Sequence, residues 1–190
     1  SIKVPDGPLT SRLQNIQVGD ELLVSNKPTG TLVLDHLLPG KNLYLISTGT
    51  GLAPFMSIIQ DPELYERYDK VILTHGVRLI SELAYQEFIK NELKNNEFFG
   101  DLVSEKLSYY PTVTREKYEN NGRLTDLMIS GKLFLDLGMP HPNIEHDRFM
   151  VCGGPSMLKE ICGILDARGF NESRQGTKAH YVIERAFVEQ

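Results

Sequence analysis

The chain of 190 residues has no basic excess, no long apolar run, few cysteines, and no internal repeat or low-complexity segment. Each absence excludes a class of protein. Twenty Lys and Arg stand against 25 Asp and Glu, a net charge of -5, so the chain as a whole carries no electrostatic footprint for nucleic acid. Any anion site must therefore be a local gathering of arginines. The longest apolar stretches, such as "LYLI" and "RFMVCGG", fall far short of a bilayer span, and the N-terminus lacks the charged-then-apolar pattern of a signal peptide. A soluble, cytoplasmic protein without membrane contact is expected. Cys152 and Cys162 fall in separate predicted elements and form no framework of the secreted kind; neither a disulfide nor a metal site is expected. There is also no initiating Met. "SIKV" reads as the middle of a strand followed at once by the turn "PDG", so the chain is expected to begin inside a fold.

What is present changes grammar once. Up to about Leu38, short β-like runs ("SIKV", "DELLVSN", "TGTLVL") alternate with Gly and Pro turns around one helical candidate, "TSRLQNI". After "LLPGKN" the pattern becomes strand, turn, helix, repeated. "NLYLIS", "KVILTHG", "KLSYYPTVT", "RFMVCGG" and "AHYVIERAF" read as strands. Helical patterns start near Leu52 and in "SELAYQEFIKNELK", "GRLTDLMISGKLFLDL" and "PSMLKEICGILDARG". Apolar strands joined through helices by short loops imply a parallel sheet covered on both faces. The division expected is 1–38 as the end of a β-barrel domain and 39–190 as an α/β domain.

Ligands of such sheets bind beyond the carboxyl ends of the strands, where strand order reverses. In "STGTG", 47–51, Gly49 and Gly51 let a pyrophosphate approach the backbone at a helix start; the bland reading is a tight turn that needs glycine. In a 3-2-1-4-5 sheet, Arg78 after the second strand, Arg115 after the third and Arg123 opening the next helix can converge on one dianionic phosphate. A 2′-phosphate fits that place and points to NADP over NAD; the alternative is three solvated arginines. In "VCGGPSM", Cys152 ends a buried strand before two glycines over which a nicotinamide ring could lie. An ordinary buried thiol is the competing reading, and nothing nearby supplies a base for thiolate chemistry.

In this order and spacing, "GPLTSRL", "KPTGTL", "STGTGLAPF", "VTRE", "CGGPSM" and "YVIERAFVEQ" resemble the bacterial ferredoxin–NADP (flavodoxin/ferredoxin) reductases over essentially the whole chain. The resemblance implies an antiparallel flavin-binding β-barrel and a five-stranded Rossmann-like NADP domain of order 3-2-1-4-5, with FAD and NADP(H) as cofactors. Pro54 then belongs to the Gly-x-Gly-x-x-Pro turn of this superfamily. It implies that Leu9, Thr10 and Ser11 touch the FAD pyrophosphate, that Thr31 and the turn Thr48, Gly49, Thr50 and Gly51 contact cofactor, and that Arg78, Thr114, Arg115 and Arg123 hold the 2′-phosphate side of NADP. Cys152 and Gly153 would border the nicotinamide, and Ala186, Phe187 and Glu189 would cover one face of the flavin. Thr48, Cys152, Phe187 and Glu189 are the expected catalytic set. The implied reaction is hydride transfer between NADPH and flavin and single-electron transfer to ferredoxin or flavodoxin, by a monomer.

One departure stands out. The family's Arg-x-Tyr-Ser type flavin motif is missing from these residues. The expectation is a longer native protein; the alternative is an NADP-binding module without redox activity. An NADH-dependent oxygenase reductase is disfavoured by the three arginines and by the lack of a Cys-rich iron–sulfur segment. Acidic electron carriers need a basic docking face, for which Lys3, Arg12 and Lys27 are candidates.

Overall fold

The computed structural model describes residues 7, 9–27, 30–174 and 176–185. The chain forms two compact units, Ser1–Gly30 and Thr31–Gln190, each considered by itself.

In the first unit, one helical turn, α1 (Thr10–Leu13), follows Leu9, and the Ser11 N–H donates to the Gly7 carbonyl at 3.1 Å. The expected strand over 20–26 does not form among the described residues, and Leu22, Leu23 and Val24 are exposed. A short apolar run between turns makes a segment competent for a sheet, but a strand exists only when a neighbour takes its N–H and C=O groups. The run 29–34 also differs from its strand expectation, and Thr29 lies outside the described residues. Val33 N–H bonds back to the Thr31 carbonyl, and a 3₁₀ turn follows at Leu34–His36.

The second unit is a five-stranded parallel sheet of β1 (Asn42–Thr48), β2 (Lys70–Val77), β3 (Leu107–Val113), β4 (Asp147–Gly153) and β5 (Tyr181–Arg185), in the order β3-β2-β1-β4-β5. This is the expected order. Both faces of the sheet are apolar because both are covered. Leu43, Leu45, Leu73 and Met150 pack under α2 (Leu52–Ile58), α3 (Pro62–Arg67) and α4 (Gly100–Lys106). Tyr44, Ile46, Ile72, Phe149 and Val151 pack under α5 (Leu124–Ile129), α6 (Lys132–Asp136) and α7 (Pro155–Asp166). None of the helices in the described residues is long and apolar enough to cross a membrane.

Two expected helices are broken. "GRLTDLMISGKLFLDL" splits into α5 and α6 because Gly131, at φ 77°, enters the left-handed region that ends a helix. "SELAYQEFIKNELK" becomes a 3₁₀ turn at Ile80–Glu82, a π turn at Phe88–Glu92 and a 3₁₀ turn at Leu93–Asn95. Its first turn closes when Glu82 accepts the N–H groups of Arg78 and Leu79, at 2.9 and 3.2 Å, and Tyr85 then turns left-handed at φ 61°.

Candidate functional site

The carboxyl ends of the strands form a rim. In register, Thr48 of β1 lies beside Gly76 of β2, Ser47 lies beside Cys152 of β4, and Val77 lies beside Val113 of β3.

The β1/β4 half is closed by packing. After Thr48 the chain makes a 3₁₀ turn, Gly49–Gly51, and enters α2, where Pro54 sits in a first turn that has no backbone partner for an N–H. The two glycines have different reasons. Gly49 is exposed, at φ 52°, and a Cβ there would meet nothing within 4 Å. Gly51 is buried, and a Cβ there would strike the carbonyl of Cys152. Open approach for a ligand therefore lies at Gly49, while Gly51 lets the turn press on β4. On the opposite face, Gly76, Thr48 and Gly153 form a row. A Cβ at Gly76 would come 3.2 Å from Thr48 Cγ2, and one at Gly153 would come 2.5 Å from Thr48 Oγ1 and strike the Met157 methyl group. The flexible end of Met157 thus fills the place over Gly153 where a ring was expected. The Thr48 hydroxyl makes no hydrogen bond among the described residues.

Cys152 is buried under α2, and desolvation, with the Glu184 charge second, pushes its thiol up to about 11. It stays protonated at neutral pH and is no nucleophile. Sequence reasoning missed His75. It is buried on the same face, its Nδ1 lies 3.1 Å from the Tyr109 hydroxyl, and burial brings its pKa down from 6.5 to about 4 against the opposing pull of the Gly49 carbonyl. A neutral imidazole therefore supports the glycine turn from below. Its signal was a polar residue at the buried end of an apolar strand.

The β2/β3 half is built differently. Arg115 N–H donates to the Arg78 carbonyl at 2.9 Å, and Thr114 bonds the Val77 carbonyl through both N–H (3.1 Å) and hydroxyl (3.3 Å). Ile80 N–H donates to Glu116 Oε2 at 2.5 Å, and the Tyr118 hydroxyl to Gln86 Oε1 at 2.6 Å. These bonds stitch the two loops into one exposed block. The loop returns to β3 through Gly122, whose N–H reaches the Val113 carbonyl and whose carbonyl accepts from Thr112, so Arg123 starts α5 close to the β3 end.

The three arginines share this region but not one state. Arg78 is paired with Glu82 (Nη2 to Oε1, 2.5 Å) and Arg123 with Glu160 of α7 (Nη2 to both carboxylate oxygens, 2.7 Å). The Arg115 guanidinium is exposed and has no ion pair among the described residues. The main chains of Arg78 and Arg115 are thus bonded to each other, while the Arg123 guanidinium is drawn toward α7. Glu82 was legible as an i,i+4 partner in "RLISE"; Glu160, far along the chain, was not.

The remaining expected residues fall in other elements. Thr31 donates its hydroxyl to the Ile183 carbonyl at 2.7 Å and its N–H to Glu184 at 3.1 Å. It borders a cavity of about 390 Å³ along β5, lined also by Glu172, Glu184 and Arg185. Leu9 precedes α1, and Thr10 and Ser11 belong to it; the Ser11 hydroxyl and the neighbouring Arg12 guanidinium have no partner among the described residues. Lys3, Ala186, Phe187 and Glu189 lie outside the described residues. Among the described residues no group of His, Cys, Asp and Glu is placed to hold a metal.

Comparison with known proteins supplies a context for this rim. A family model described as the oxidoreductase NAD-binding domain matches residues 45–163. The chain is 65% identical to the ferredoxin–NADP reductase of Pseudomonas aeruginosa and 64% identical to that of Azotobacter vinelandii, covering all of this chain and 74% of each relative. Among solved structures, a ferredoxin NADP+ reductase from Neisseria gonorrhoeae with bound FAD and NADP superposes with a TM-score of 0.81 at 27% identity, over 97% of this chain and 72% of that one.

Proposed function

We propose that this chain, which belongs to the ferredoxin–NADP reductase family of oxidoreductases, binds NADP(H) along the carboxyl rim of its sheet and, with FAD, passes electrons between NADPH and ferredoxin or flavodoxin. The observation that carries the reading is Arg115: an exposed guanidinium without an ion pair among the described residues, fastened to Arg78 by a main-chain bond at 2.9 Å, in a chain of net charge -5. Such a group is available to a dianion. The donors around it are of the kind a dinucleotide needs, with the open Gly49 turn toward the pyrophosphate and the Thr48 hydroxyl, without a hydrogen bond among the described residues, toward the nicotinamide end.

Bound NADPH and FAD supply the hydride and single-electron chemistry. The protein's share is position. Arg115 and Arg78, with Thr114 bracing the β3 end, hold the 2′-phosphate; Gly49, Thr50 and Gly51 shape the turn; Gly153 and the protonated Cys152 border the ring, from which Met157 must swing aside. No covalent step passes through Cys152. Residues 1–38 are assigned to the flavin side, with Leu9, Thr10 and Ser11 at its phosphates, and 39–190 to the nucleotide side. A monomeric enzyme of the cytoplasm fits this reading, as does a one-to-one encounter with an acidic carrier.

The test is selectivity. Arg115→Ala should cost about 1.5–3 kcal/mol of NADPH affinity through loss of charge-assisted bonds, with NADH nearly unaffected. Equal losses for both nucleotides in a binding titration would refute the assignment of Arg115 to the 2′-phosphate.

A further inference from the structure

The Arg123–Glu160 pair differs from its neighbour Arg78–Glu82. Glu82 is part of a turn, since its carboxylate also accepts the N–H groups of Arg78 and Leu79. It cannot leave without undoing the Ile80–Glu82 turn. Glu160 has no main-chain donor among the described residues. It accepts from Arg123 and, at 3.3 Å, from the Ser156 hydroxyl, and its carboxyl is kept below its ordinary range by the guanidinium first and by the Thr125 hydroxyl next. Both of its oxygens lie 2.7 Å from Arg123 Nη2, an anion seated on a guanidinium. Next to Arg123 in sequence stands a second oddity. The hydroxyl of Thr125, a residue only 3% exposed, is buried without a hydrogen-bond partner, yet it lies near enough to Glu160 to help hold that carboxyl down. By geometry that hydroxyl has no full hydrogen bond, so Glu160 is the acceptor it leans on, and an oxygen-rich ligand in the same place could serve it as well.

We infer that Glu160 is an internal stand-in for the nucleotide's 2′-phosphate, occupying Arg123 beside the Thr125 hydroxyl until NADP displaces it, and so sets how tightly this protein prefers NADP over NAD. This rests on the reading of the rim as an NADP site. When the phosphate arrives, Arg123 exchanges a carboxylate for a dianion that it shares with Arg115 and Arg78. The exchange is favourable, because charge-assisted bonds to a dianion exceed those of an exposed monoanionic pair, but the lost pair and the residual repulsion from Glu160 weaken binding. Exposed ion pairs contribute little individually, so the effect is modest, and it fades as salt screens it.

The sign of one substitution decides the matter. In the full-length protein, 2′-phospho-AMP and AMP are titrated against the wild type, Glu160→Gln and Glu160→Ala. Both variants should bind 2′-phospho-AMP about three- to tenfold more tightly at low salt, with AMP unchanged and the gain shrinking as salt is added. Unchanged or weaker binding of 2′-phospho-AMP would overturn the inference, since Glu160 would then be a spectator or would position Arg123. An equal gain for both ligands would also overturn it, as a general charge effect. A wild type that does not distinguish the two ligands would bring down the NADP reading itself. A wild type that does distinguish them, and loses this on Arg115→Ala, would leave that reading standing whatever Glu160 does.

Discussion

The two halves of the rim are held by different forces. At β1/β4 the elements are in direct contact: Gly51 lies against the Cys152 carbonyl, Gly153 against the Thr48 side chain, and the titratable groups His75 and Cys152 are buried and uncharged. At β2/β3 the elements are exposed loops joined by hydrogen bonds and carrying three guanidinium groups, two of them already paired. Packing in the first half leaves no slack, so it can fix a ring or a turn to within a few tenths of an ångström. The second half keeps its charges hydrated and exchangeable, which suits a phosphate that must come and go. A glycine motif is therefore not by itself a ligand motif: of the two glycines in the turn, one answers to the protein and one faces open space.

That contrast can be broken at Gly51 and Gly49. Gly51→Ala pushes a methyl group into a main-chain carbonyl that cannot rotate away, and should destabilise the fold by about 3 kcal/mol, the top of the range for overpacking. Gly49→Ala meets no neighbour and bears only the left-handed backbone cost of about 1 kcal/mol. Chemical unfolding of the two variants checks the ranking; similar losses would mean that β4 yields to accommodate Gly51→Ala.

Next comes His75. Its folded pKa of about 4 lies below the ordinary 6.5, so the unfolded chain binds its proton first. Stability from this group is complete above pH 6.5 and is lost as the pH falls toward 4, by about 3 kcal/mol over the window. His75→Gln should remove this slope from urea midpoints measured between those values. A slope that persists unchanged would place the acid sensitivity elsewhere.

The smallest effect is expected in the other half. Arg78 already spends part of its fork on Glu82, so Arg78→Ala should reduce NADPH affinity by about 1 kcal/mol, less than Arg115→Ala. Titration of both variants reads the difference directly. If Arg78 proved the greater loss, the unpaired state of Arg115 would not be what makes it the anchor.

Much of the fold was written locally. Apolar runs such as "LYLI" and "RFMV" buried on both faces, each followed by a glycine-bearing turn and a helix, specify a parallel sheet by pattern alone, because β-period and helix-period burial cannot be exchanged. The rim also follows, since chain direction puts Thr48, Arg78, Arg115 and Cys152 at the same end. What local pattern could not reach is pairing across the chain. The run over 20–26 has the short apolar centre between turn residues that a strand can have, yet a strand needs a neighbour to bond. The segment from Ser81 to Lys94 has helical composition, but Glu82 found its hydrogen bonds in the preceding turn instead. The partner that occupies Arg123 lies 37 positions later, on a helix brought alongside only when α5 and α7 cover the same face of the sheet. Sequence determined which groups stand at the rim; tertiary packing alone decided which of them are free, because a charge is spent or available according to what folding places beside it.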